Sequence, residues 1–237
     1  MLQILIVRKL LNFFDYFQSR KVYKFLRKKI NTKSIFFDVG AHHGETIQNF
    51  FNYFDVNQIH SFEASQKNFE SLKNKIILKN NLSVFINNFG LSNQKKKTFI
   101  NQTLESSSTT LSVINKNSKY YRKKINTLGL TFDKIFETQE VVFLDTLDNY
   151  LNKKKNIKKI DLLKIDTEGH EFFVLKGAKN SLNKIRFIYF EHHYDDMLSK
   201  GYKFSDINKF LVKNNFIKVY KSKMYFRKSF EYIYEKI

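Results

Sequence analysis

The sequence predicts an α/β domain with a doubly wound, mostly parallel sheet, preceded by an N-terminal helical extension. Two observations lead to this prediction. Apolar runs of strand length alternate with helix-like segments from residue 34 onward, and Gly40 and Gly44 follow the first of these runs. Alternating strands and helices build parallel sheets, whose ligands bind outside the carboxyl ends of the strands. A chain of 237 residues is long enough for one such domain.

Residues 1–33 are predicted to form the helical extension, and residues 34–237 the main domain. The extension carries nine Lys or Arg against one Asp, and its apolar residues recur at helical spacing. We favour helices that pack on the main domain. The alternative is a basic amphipathic helix that contacts anionic lipid at the inner face of a membrane. Arg8 and Lys9 interrupt the early apolar run, so we predict neither a membrane span nor a secretory signal, and expect a cytoplasmic location.

The sequence of the first part of the main domain, residues 34–101, predicts alternating strands and helices. Residues 34–39 (SIFFDV) are an apolar run that ends at a glycine, as a buried parallel strand often does. Residues 45–54 follow as a helix, with Glu45 favourably placed in its first turn. The same alternation predicts strands at residues 58–62 and 82–87, a helix at residues 66–79, and a short strand at residues 97–101.

A polar stretch separates this part from the second. Residues 102–140 are predicted to be irregular, and a loop this long is usually functional or disordered. Residues 160–165 (IDLLKI) and 186–191 (RFIYFE) read as buried strands. The remaining elements predicted here are a strand at residues 140–144, a short helix after Asp148, helices at residues 171–182 and 204–214, and strands near residues 216–220 and 224–227.

Composition limits the classes of function. The formal net charge of +20 is typical of proteins that bind nucleic acid. However, the basic residues are spread along the chain, and its abundant Lys, Asn, Ile and Phe are what AT-rich codons would produce. We therefore do not favour a nucleic-acid partner. The chain has no cysteine, which excludes disulfides, thiolate metal sites and a cysteine nucleophile.

Residues 35–46, IFFDVGAHHGET, are the first candidate site. Glycines after a buried strand let the backbone approach a ligand, and the following helix offers free N–H groups. A dinucleotide site would have the spacing G-x-G-x-x-G. Here three residues separate Gly40 from Gly44, and Asp38 precedes them. A carboxylate at that position suits a cofactor that carries an ammonium group better than a pyrophosphate.

Two residues at the ends of later strands extend this site. Glu63 ends the second predicted strand, 25 residues after Asp38, and can accept hydrogen bonds from both hydroxyls of a ribose. Asn88 follows the third strand, where it either contacts an adenine edge or simply forms a turn. The two acids together favour a nucleoside cofactor over solvated acids at strand ends.

A third segment, residues 164–178 (KIDTEGHEFFVLKGA), carries acids where a strand meets a helix. Asp166, Glu168 and Glu171 lie so close in sequence that they should repel one another, so raised pKa values or a shared cation are expected. Helix capping by acids in the first turn is the alternative for Glu171.

The fourth segment is FEHHYDD, residues 190–196. Glu191 ends the next strand and should open into the same crevice. His192 and His193 point in different directions, so at most one of them should face the site.

These four segments resemble the FkbM-type methyltransferases over residues 35–195. The resemblance is carried by FFDVGAHHGET, SFEAS, NNFGLSNQ, LDTLDNYL and, most specifically, IDLLKIDTEGHEFFVLKGA. It implies the class I methyltransferase fold, a Rossmann-like sheet of seven strands, with S-adenosylmethionine (SAM) as the cofactor. It also implies O-methylation of a hydroxyl group on a sugar, a glycan or a related metabolite.

Carried over by position, the resemblance assigns residues to two groups. The cofactor-binding group is Asp38, Gly40, Ala41, Gly44 and Glu63, to which we add Asn88. The reaction side is Asp166, Glu168 and Glu171, with Glu191 where the family usually has an acid. The pair His42 and His43 departs from the family, in which this loop often has small or polar residues. His42 is therefore either a loop filler or a group that reaches the substrate.

A hydroxyl acceptor needs a positioned base. Our hypothesis is that Asp166, Glu168 or a nearby histidine takes its proton. The alternative is that Asp166 and Glu191 hold a Mg²⁺ ion that lowers the pKa of the hydroxyl, whereas we favour a site without metal.

Two other functions stay open: ribose 2′-O-methylation of RNA, and a SAM-binding module without catalysis. Base-amino methylation typically uses a [DNS]-P-P-[YFW] loop and cytosine C5 methylation needs a cysteine, and the chain has neither proline nor cysteine. We see no K-D-K-E-like arrangement for 2′-O-methylation, and the acid pair Asp38 and Glu63 argues against lost activity. We expect the acceptor to be chosen by residues 102–140 and by the segment after Glu191.

Overall fold

The computed structural model describes residues 17–78, 83–103, 109–128, 136–225 and 227–237. Residues 17–27 form a helix, which we call α1. In chain order the elements that follow are β1 (Ser34–Val39), α2 (Glu45–Tyr53), β2 (Val56–Phe62), α3 (Gln66–Leu78), β3 (Val84–Asn87), β4 (Gly90–Leu91), β5 (Lys96–Thr103), β6 (Val113–Ile114), α4 (Lys119–Leu128), β7 (Phe136–Asp145), α5 (Leu147–Lys153), β8 (Ile160–Ile165), α6 (Glu171–Lys176), β9 (Ile185–His193), β10 (Leu198–Ser199), α7 (Phe204–Lys213), β11 (Phe216–Lys223) and β12 (Ser229–Lys236).

Seven strands form the central sheet, in the order β11-β12-β9-β8-β1-β2-β3. The five strands from β9 to β3 are parallel, and β12 and β11 pair antiparallel at one side. This mixed, mostly parallel sheet confirms the predicted class I methyltransferase fold. Strand β1 is apolar apart from Ser34 and Asp38. An apolar strand is expected there, because helices cover both faces of the sheet.

Helices cover both faces of the sheet. One hydrophobic cluster joins the sheet to α1, α2 and α3, and the other joins it to α5, α6 and α7. The described part of the N-terminal extension buries Val22, Tyr23, Leu26 and Ile30 against the sheet, so this apolar side is not available to lipid. No helix in the described part of the chain is long and apolar enough to cross a membrane.

The stretch predicted to be irregular contains regular structure, so that prediction was wrong in part. Strand β5 runs to Thr103, β7 already begins at Phe136, and helix α4 lies between them. Residues 104–108 and 129–135 lie outside the described residues. Helix α4 is strongly polar and buries Tyr121 against Met197 and Leu198, so its apolar face was too narrow to read from the sequence.

Two further boundaries differ from the prediction. The helix predicted at residues 171–182 stops at Lys176, and a 3₁₀ helix, Lys179–Lys184, follows. A Cβ at Gly177 would lie 1.9 Å from the carbonyl oxygen of Ser92, so the chain comes too close to its neighbour there for a larger residue. The prediction of a strand at residues 224–227 was wrong for the described residues of that range, because β11 ends at Lys223 and β12 begins at Ser229. Met224 N–H donates to Ser229 O, and residue 226 lies outside the described residues.

Candidate active site

A cavity of about 1020 Å³ opens at the carboxyl ends of the parallel strands. This volume is at the upper end for ligand pockets, which span about 300–1,000 Å³. The predicted site residues that line it are Gly40, Ala41, Gly44, Glu63, Asp166, Glu168 and Glu191. Asp38, Asn88 and Glu171 do not line it. Ser19 and Tyr23 of α1 also line the cavity, so the N-terminal extension contributes to the site.

The glycine loop between β1 and α2 forms one end of this cavity. Gly40 and Gly44 have φ of 83° and 85°, a backbone conformation that glycine adopts without strain. A Cβ at Gly40 would lie 1.9 Å from the carbonyl oxygen of Asp166, so the loop packs directly on the end of β8. The N–H groups of Gly40 and Ala41 donate to Phe62 O at 3.0 and 3.1 Å. These contacts leave a shallow cradle that only glycine permits.

Glu63 holds this loop and faces the cavity. Its carboxylate accepts the N–H of His42 at 2.8 Å and the N–H of Ser65 at 2.9 Å, one on each oxygen. Burial raises the pKa of Glu63, and these two hydrogen bonds partly oppose the shift. The side chain of Asn68 is a further hydrogen-bond partner of this carboxylate. A carboxylate has about four acceptor positions, so capacity remains beyond these three bonds for a ribose hydroxyl. The geometry therefore fits a nucleoside cofactor. Asn88 Nδ2 donates to Glu63 O at 3.1 Å, which is a turn contact, and its contact with adenine stays a prediction.

The register of the sheet gathers acids along the wall beyond the loop. Asp166 directly follows β8, whose last residue pairs with Phe190, and Glu191 is the next residue in β9. Glu191 pairs in turn with Glu231 of β12. Asp166, Glu191 and Glu231 all line the cavity, as does Glu168. The structure thus brings together the reaction-side acids that the sequence indicated, apart from Glu171.

Glu231 was not predicted, and it is the most enclosed of these acids. It is 4% exposed, and it accepts hydrogen bonds from Tyr189 OH and from Gln18 Nε2 of helix α1. Burial raises the pKa of Glu231 to about 7. The available signal in the sequence was an acid between two aromatic residues, Phe230 and Tyr232.

The two adjacent histidines point to opposite sides of the sheet, as expected. Burial and the charge of Lys200 lower the pKa of His192 to about 3, and its ring packs against the rings of Tyr194 and Phe204. His193 lies instead among Glu168, Glu191 and Asp195, with ring nitrogens 3.4, 3.7 and 3.7 Å from their carboxylates. Burial lowers the pKa of His193, but these acids outweigh it and raise the pKa to about 10.

Glu171 lies below the wall and is 1% exposed. Its carboxylate accepts hydrogen bonds from Gly169 N at 2.8 Å, Thr167 Oγ1 at 3.1 Å and Tyr202 OH at 2.5 Å. These bonds fix the turn at Glu168 and Gly169, which have φ of 48° and 94°. These contacts favour a structural role for Glu171 at the start of α6. Glu171 does not line the cavity, so no contact supports the predicted catalytic role.

Lys164 is a site residue that the sequence did not single out. Its side chain is 9% exposed, lines the cavity, and places Nζ 3.0 Å from Asp166 Oδ2 and 3.8 Å from Asp38 Oδ1. Asp38 is completely buried, and burial raises its pKa to about 7 although Lys164 opposes the shift. Burial would also raise the pKa of Asp166, but the charge and hydrogen bond of Lys164 lower it. The signal was a lysine within the buried strand IDLLKI.

One group of potential metal ligands occurs in the described part of the chain: His42, His43 and Glu45, with ligand atoms within 4.8 Å of one another. The two imidazole rings are stacked, with centroids 3.7 Å apart and planes at 18°. Nearly parallel rings cannot both direct a nitrogen lone pair at one ion, so this arrangement is not a ready metal site. Asp166 and Glu191 form no such group of three among the described residues. A reaction without metal stays a prediction.

Comparisons with known proteins agree with this architecture. The family model of the methyltransferase FkbM domain matches residues 38–218. The sequences of curated proteins give no match. Among solved structures, M. capricolum TrmK in complex with S-adenosylhomocysteine (SAH) has a TM-score of 0.51 and 13% identity, over 90% of this chain and 67% of that chain. The protein SMU.1697c from Streptococcus mutans, in complex with SAH, has a TM-score of 0.52 and 11% identity, over 92% of this chain and 97% of that one.

A solved member of the matching family has the same fold. Methyltransferase FkbM from Methylobacillus flagellatus has a TM-score of 0.55 and 13% identity, over 85% of this chain and 44% of that chain. This chain therefore spans less than half the length of that protein. At such identities the structural likeness establishes the fold, whereas the family model establishes the family because it matches most of the chain. The chain belongs to the FkbM family of SAM-dependent methyltransferases.

Proposed function

We propose that the chain transfers the methyl group of SAM to a hydroxyl group of a sugar, a glycan or a related small metabolite. The observation that carries this proposal is the row of carboxylates beside the glycine loop: Asp166, Glu168 and Glu191 line the same cavity as Gly40 and Glu63. Carboxylates accept hydrogen bonds from hydroxyl groups and can take their protons.

The proposed reaction is an in-line displacement, for which the cofactor supplies an activated methyl group and a good leaving group. The protein has two tasks, to align the acceptor and to remove its proton. Glu168 and Asp166 are the proposed bases. His193 lies 3.4 Å from Glu168, and its pKa of about 10 keeps it protonated at neutral pH, so it holds this carboxylate in the ionised form that can accept a proton.

The same acids argue against a nucleic-acid acceptor. Proteins that bind RNA or DNA contact phosphates mainly with Lys and Arg. Among the described residues, three basic residues line the cavity, against six acids. The basic residues are Lys75, Lys164 and Arg227, and the acids are Glu45, Glu63, Asp166, Glu168, Glu191 and Glu231. A phosphate chain would meet more negative than positive charge here, so ribose 2′-O-methylation is the less favoured function.

The test is methyl transfer from labelled SAM to cell-envelope glycans, nucleotide sugars and total RNA, offered separately. Glycans from cells that lack the gene are the best acceptors, because their sites are not yet methylated. We expect label in a glycan or sugar hydroxyl, located by mass spectrometry. Salt-sensitive labelling of RNA alone would favour the 2′-O-methyltransferase. Binding of SAM without transfer to any acceptor would favour a non-catalytic module.

A further inference from the structure

Lys164 is a buried cation at the boundary between the cofactor cradle and the acid row. It lies in β8, all six residues of which are buried, and its side chain is 9% exposed. Transferring an ammonium group out of water costs several kcal/mol unless other charges or hydrogen bonds compensate it. The protein keeps this cation at the cavity wall, where an apolar residue would pack at lower cost.

Two acids on neighbouring positions of the sheet compensate the charge. Asp38 pairs with Lys164 across β1 and β8, so both side chains project from the same face of the sheet. Asp166 lies two residues further along the chain, on that face as well. The hydrogen bond to Asp166 Oδ2 uses one of the three N–H donors of the ammonium group, and Asp38 Oδ1 is at the distance of an ion pair.

Asp38 cannot itself meet a ligand as the structure stands. It is fully buried, it does not line the cavity, and among the described residues neither of its carboxylate oxygens has a hydrogen-bond partner. Lys164 lies between Asp38 and Asp166 and does line the cavity. The charged group presented to a ligand at this position is therefore an ammonium and not the carboxylate of Asp38.

SAM carries two positive groups, the sulfonium and the ammonium, and one negative group, the carboxylate of its methionyl part. A cation in the cavity wall is attracted to the carboxylate alone and repelled by the other two. We propose that Lys164 binds the methionyl carboxylate of the cofactor, and that Asp38 acts beneath it as a positioning residue. This inference rests on the proposed use of SAM by this cavity.

The test compares two ligands that differ only at that end. SAH has the amino-acid group, whereas 5′-methylthioadenosine has the same adenosine and thioether without it. Isothermal titration calorimetry gives the Kd of both ligands for the wild type and for Lys164→Met. We expect the variant to bind SAH at least tenfold more weakly and 5′-methylthioadenosine within twofold of the wild type. An equal loss for both ligands, or no loss for SAH, would overturn the inference.

Lys159→Met is the matched control. Lys159 Nζ lies 2.6 Å from Asp161 Oδ1, a buried acid at the opposite end of the same strand, away from the cavity. The Lys159→Met substitution removes a lysine from a buried aspartate, as Lys164→Met does. It should leave the Kd of SAH and the Kd of 5′-methylthioadenosine unchanged. If Lys164→Met does not fold, the double variant Asp38→Asn/Lys164→Met, which leaves no unpaired charge at position 38, is measured with the same expectation.

Two further outcomes separate the inference from the function on which it rests. If the wild type binds neither SAH nor SAM, the proposed function fails and the inference fails with it. If the wild type binds SAH tightly and Lys164→Met binds it equally well, the proposed function stands and the inference alone is overturned.

Discussion

The Nε2 atom of His193 lies 3.4 Å from Oε2 of Glu168. This contact joins the turn after β8 to the end of β9, and the same ring lies 3.7 Å from both Glu191 and Asp195. The imidazole is therefore the shared cation that three acids need in order to lie close together. Of the three acids that the sequence grouped, Asp166, Glu168 and Glu171, only Glu168 forms an ion pair with this imidazole. The other two acids beside the ring, Glu191 and Asp195, lie near the end of β9 and just after it.

The protonation of His193 should make stability depend on pH. Its pKa is about 10 in the folded protein and about 6.5 when unfolded. A raised pKa means that the contribution to the free energy of unfolding is complete below about pH 6.5 and is lost as the pH rises through about 10. Urea unfolding of His193→Gln should show a loss of about 3 kcal/mol near pH 6. The difference from the wild type should shrink toward pH 10.

His192→Gln is the control for this pH dependence. The pKa of His192 is about 3, so its ring is neutral throughout this range. In the unfolded chain this imidazole has a pKa of about 6.5, so its contribution to stability changes with pH only below about pH 7.5. Between about pH 8 and pH 10 the loss of stability in His192→Gln should therefore be constant, whereas that in His193→Gln should shrink. If the difference between the wild type and His193→Gln also stayed constant, His193 would not be the cation of the cluster.

Glu168 and Glu171 should separate into a catalytic and a structural residue. Glu168→Gln should lower the rate of methyl transfer by a factor of about 100 or more, as expected for loss of a base, with the Kd of SAH within threefold. Glu171→Gln should instead lower the free energy of unfolding by about 1–3 kcal/mol, because it disturbs three buried hydrogen bonds. Transfer rates and urea unfolding of both variants check this. A stable Glu171→Gln without transfer would return Glu171 to the reaction side.

The sequence predicted the location of those site residues that lie at the ends of the parallel strands β1, β2 and β8, which are neighbours in the sheet. Gly40, Glu63 and Asp166 follow strands that are recognisable as short apolar runs, and a parallel sheet brings such ends to one edge. Local pattern was enough there, because each residue's place depends on its own strand alone.

Glu231 and Lys164 needed the tertiary structure. Glu231 meets Glu191 because β12 inserts between β9 and β11, and nothing local in the sequence states which strands become neighbours. Lys164 lies in a strand that is buried along its whole length, so no alternation of polar and apolar residues reveals the face on which it lies. His193 was recognised as a candidate, but its acidic neighbours come from two segments, residues 164–178 and residues 190–196, and the sequence does not state that these segments meet.

Gly40 should tolerate no side chain, for a steric reason that can be separated from its backbone conformation. Gly40 and Gly201 have φ of 83° and 71°, so alanine is strained at both. A Cβ at Gly40 would lie 1.9 Å from Asp166 O, whereas one at Gly201 would meet no atom within 4 Å. Gly201→Ala should therefore cost about 1–2 kcal/mol of stability and leave SAH binding intact. Gly40→Ala should cost more and abolish binding. If thermal unfolding and calorimetry showed equal effects of Gly40→Ala and Gly201→Ala on stability and on SAH binding, the close packing of Gly40 on Asp166 would not be what shapes the binding site.

Methyl transfer should not depend on a metal ion. The acids of the cavity are compensated by Lys164 and His193, and the stacked rings of His42 and His43 do not converge on one point. Treatment with EDTA should leave the rate unchanged, and Mg²⁺ should not raise it. A rate that falls with EDTA and returns with Mg²⁺ would support the alternative in which Asp166 and Glu191 hold the ion.

Glu63→Gln should weaken every ligand that carries the ribose, in contrast to the change at Lys164. The wild-type carboxylate accepts the N–H groups of His42 and Ser65 on separate oxygens. Glutamine has only one acceptor oxygen, so one of these N–H groups must face an NH₂ group, and acceptor positions for the ribose are lost as well. Each hydrogen bond to a charged group contributes about 1.5–3 kcal/mol, so SAH and 5′-methylthioadenosine should both bind at least about tenfold more weakly.

A ligand without one hydroxyl makes this test specific to the ribose. The 2′-deoxy analogue of SAH should bind the wild type more weakly than SAH does, whereas Glu63→Gln should no longer distinguish the two, since the partner of the missing hydroxyl is gone. Glu70→Gln is the control, because Glu70 lies on α3, is about half exposed and does not line the cavity. If Glu63→Gln kept the full preference for SAH over its deoxy analogue, Glu63 would shape the glycine loop without binding the ribose.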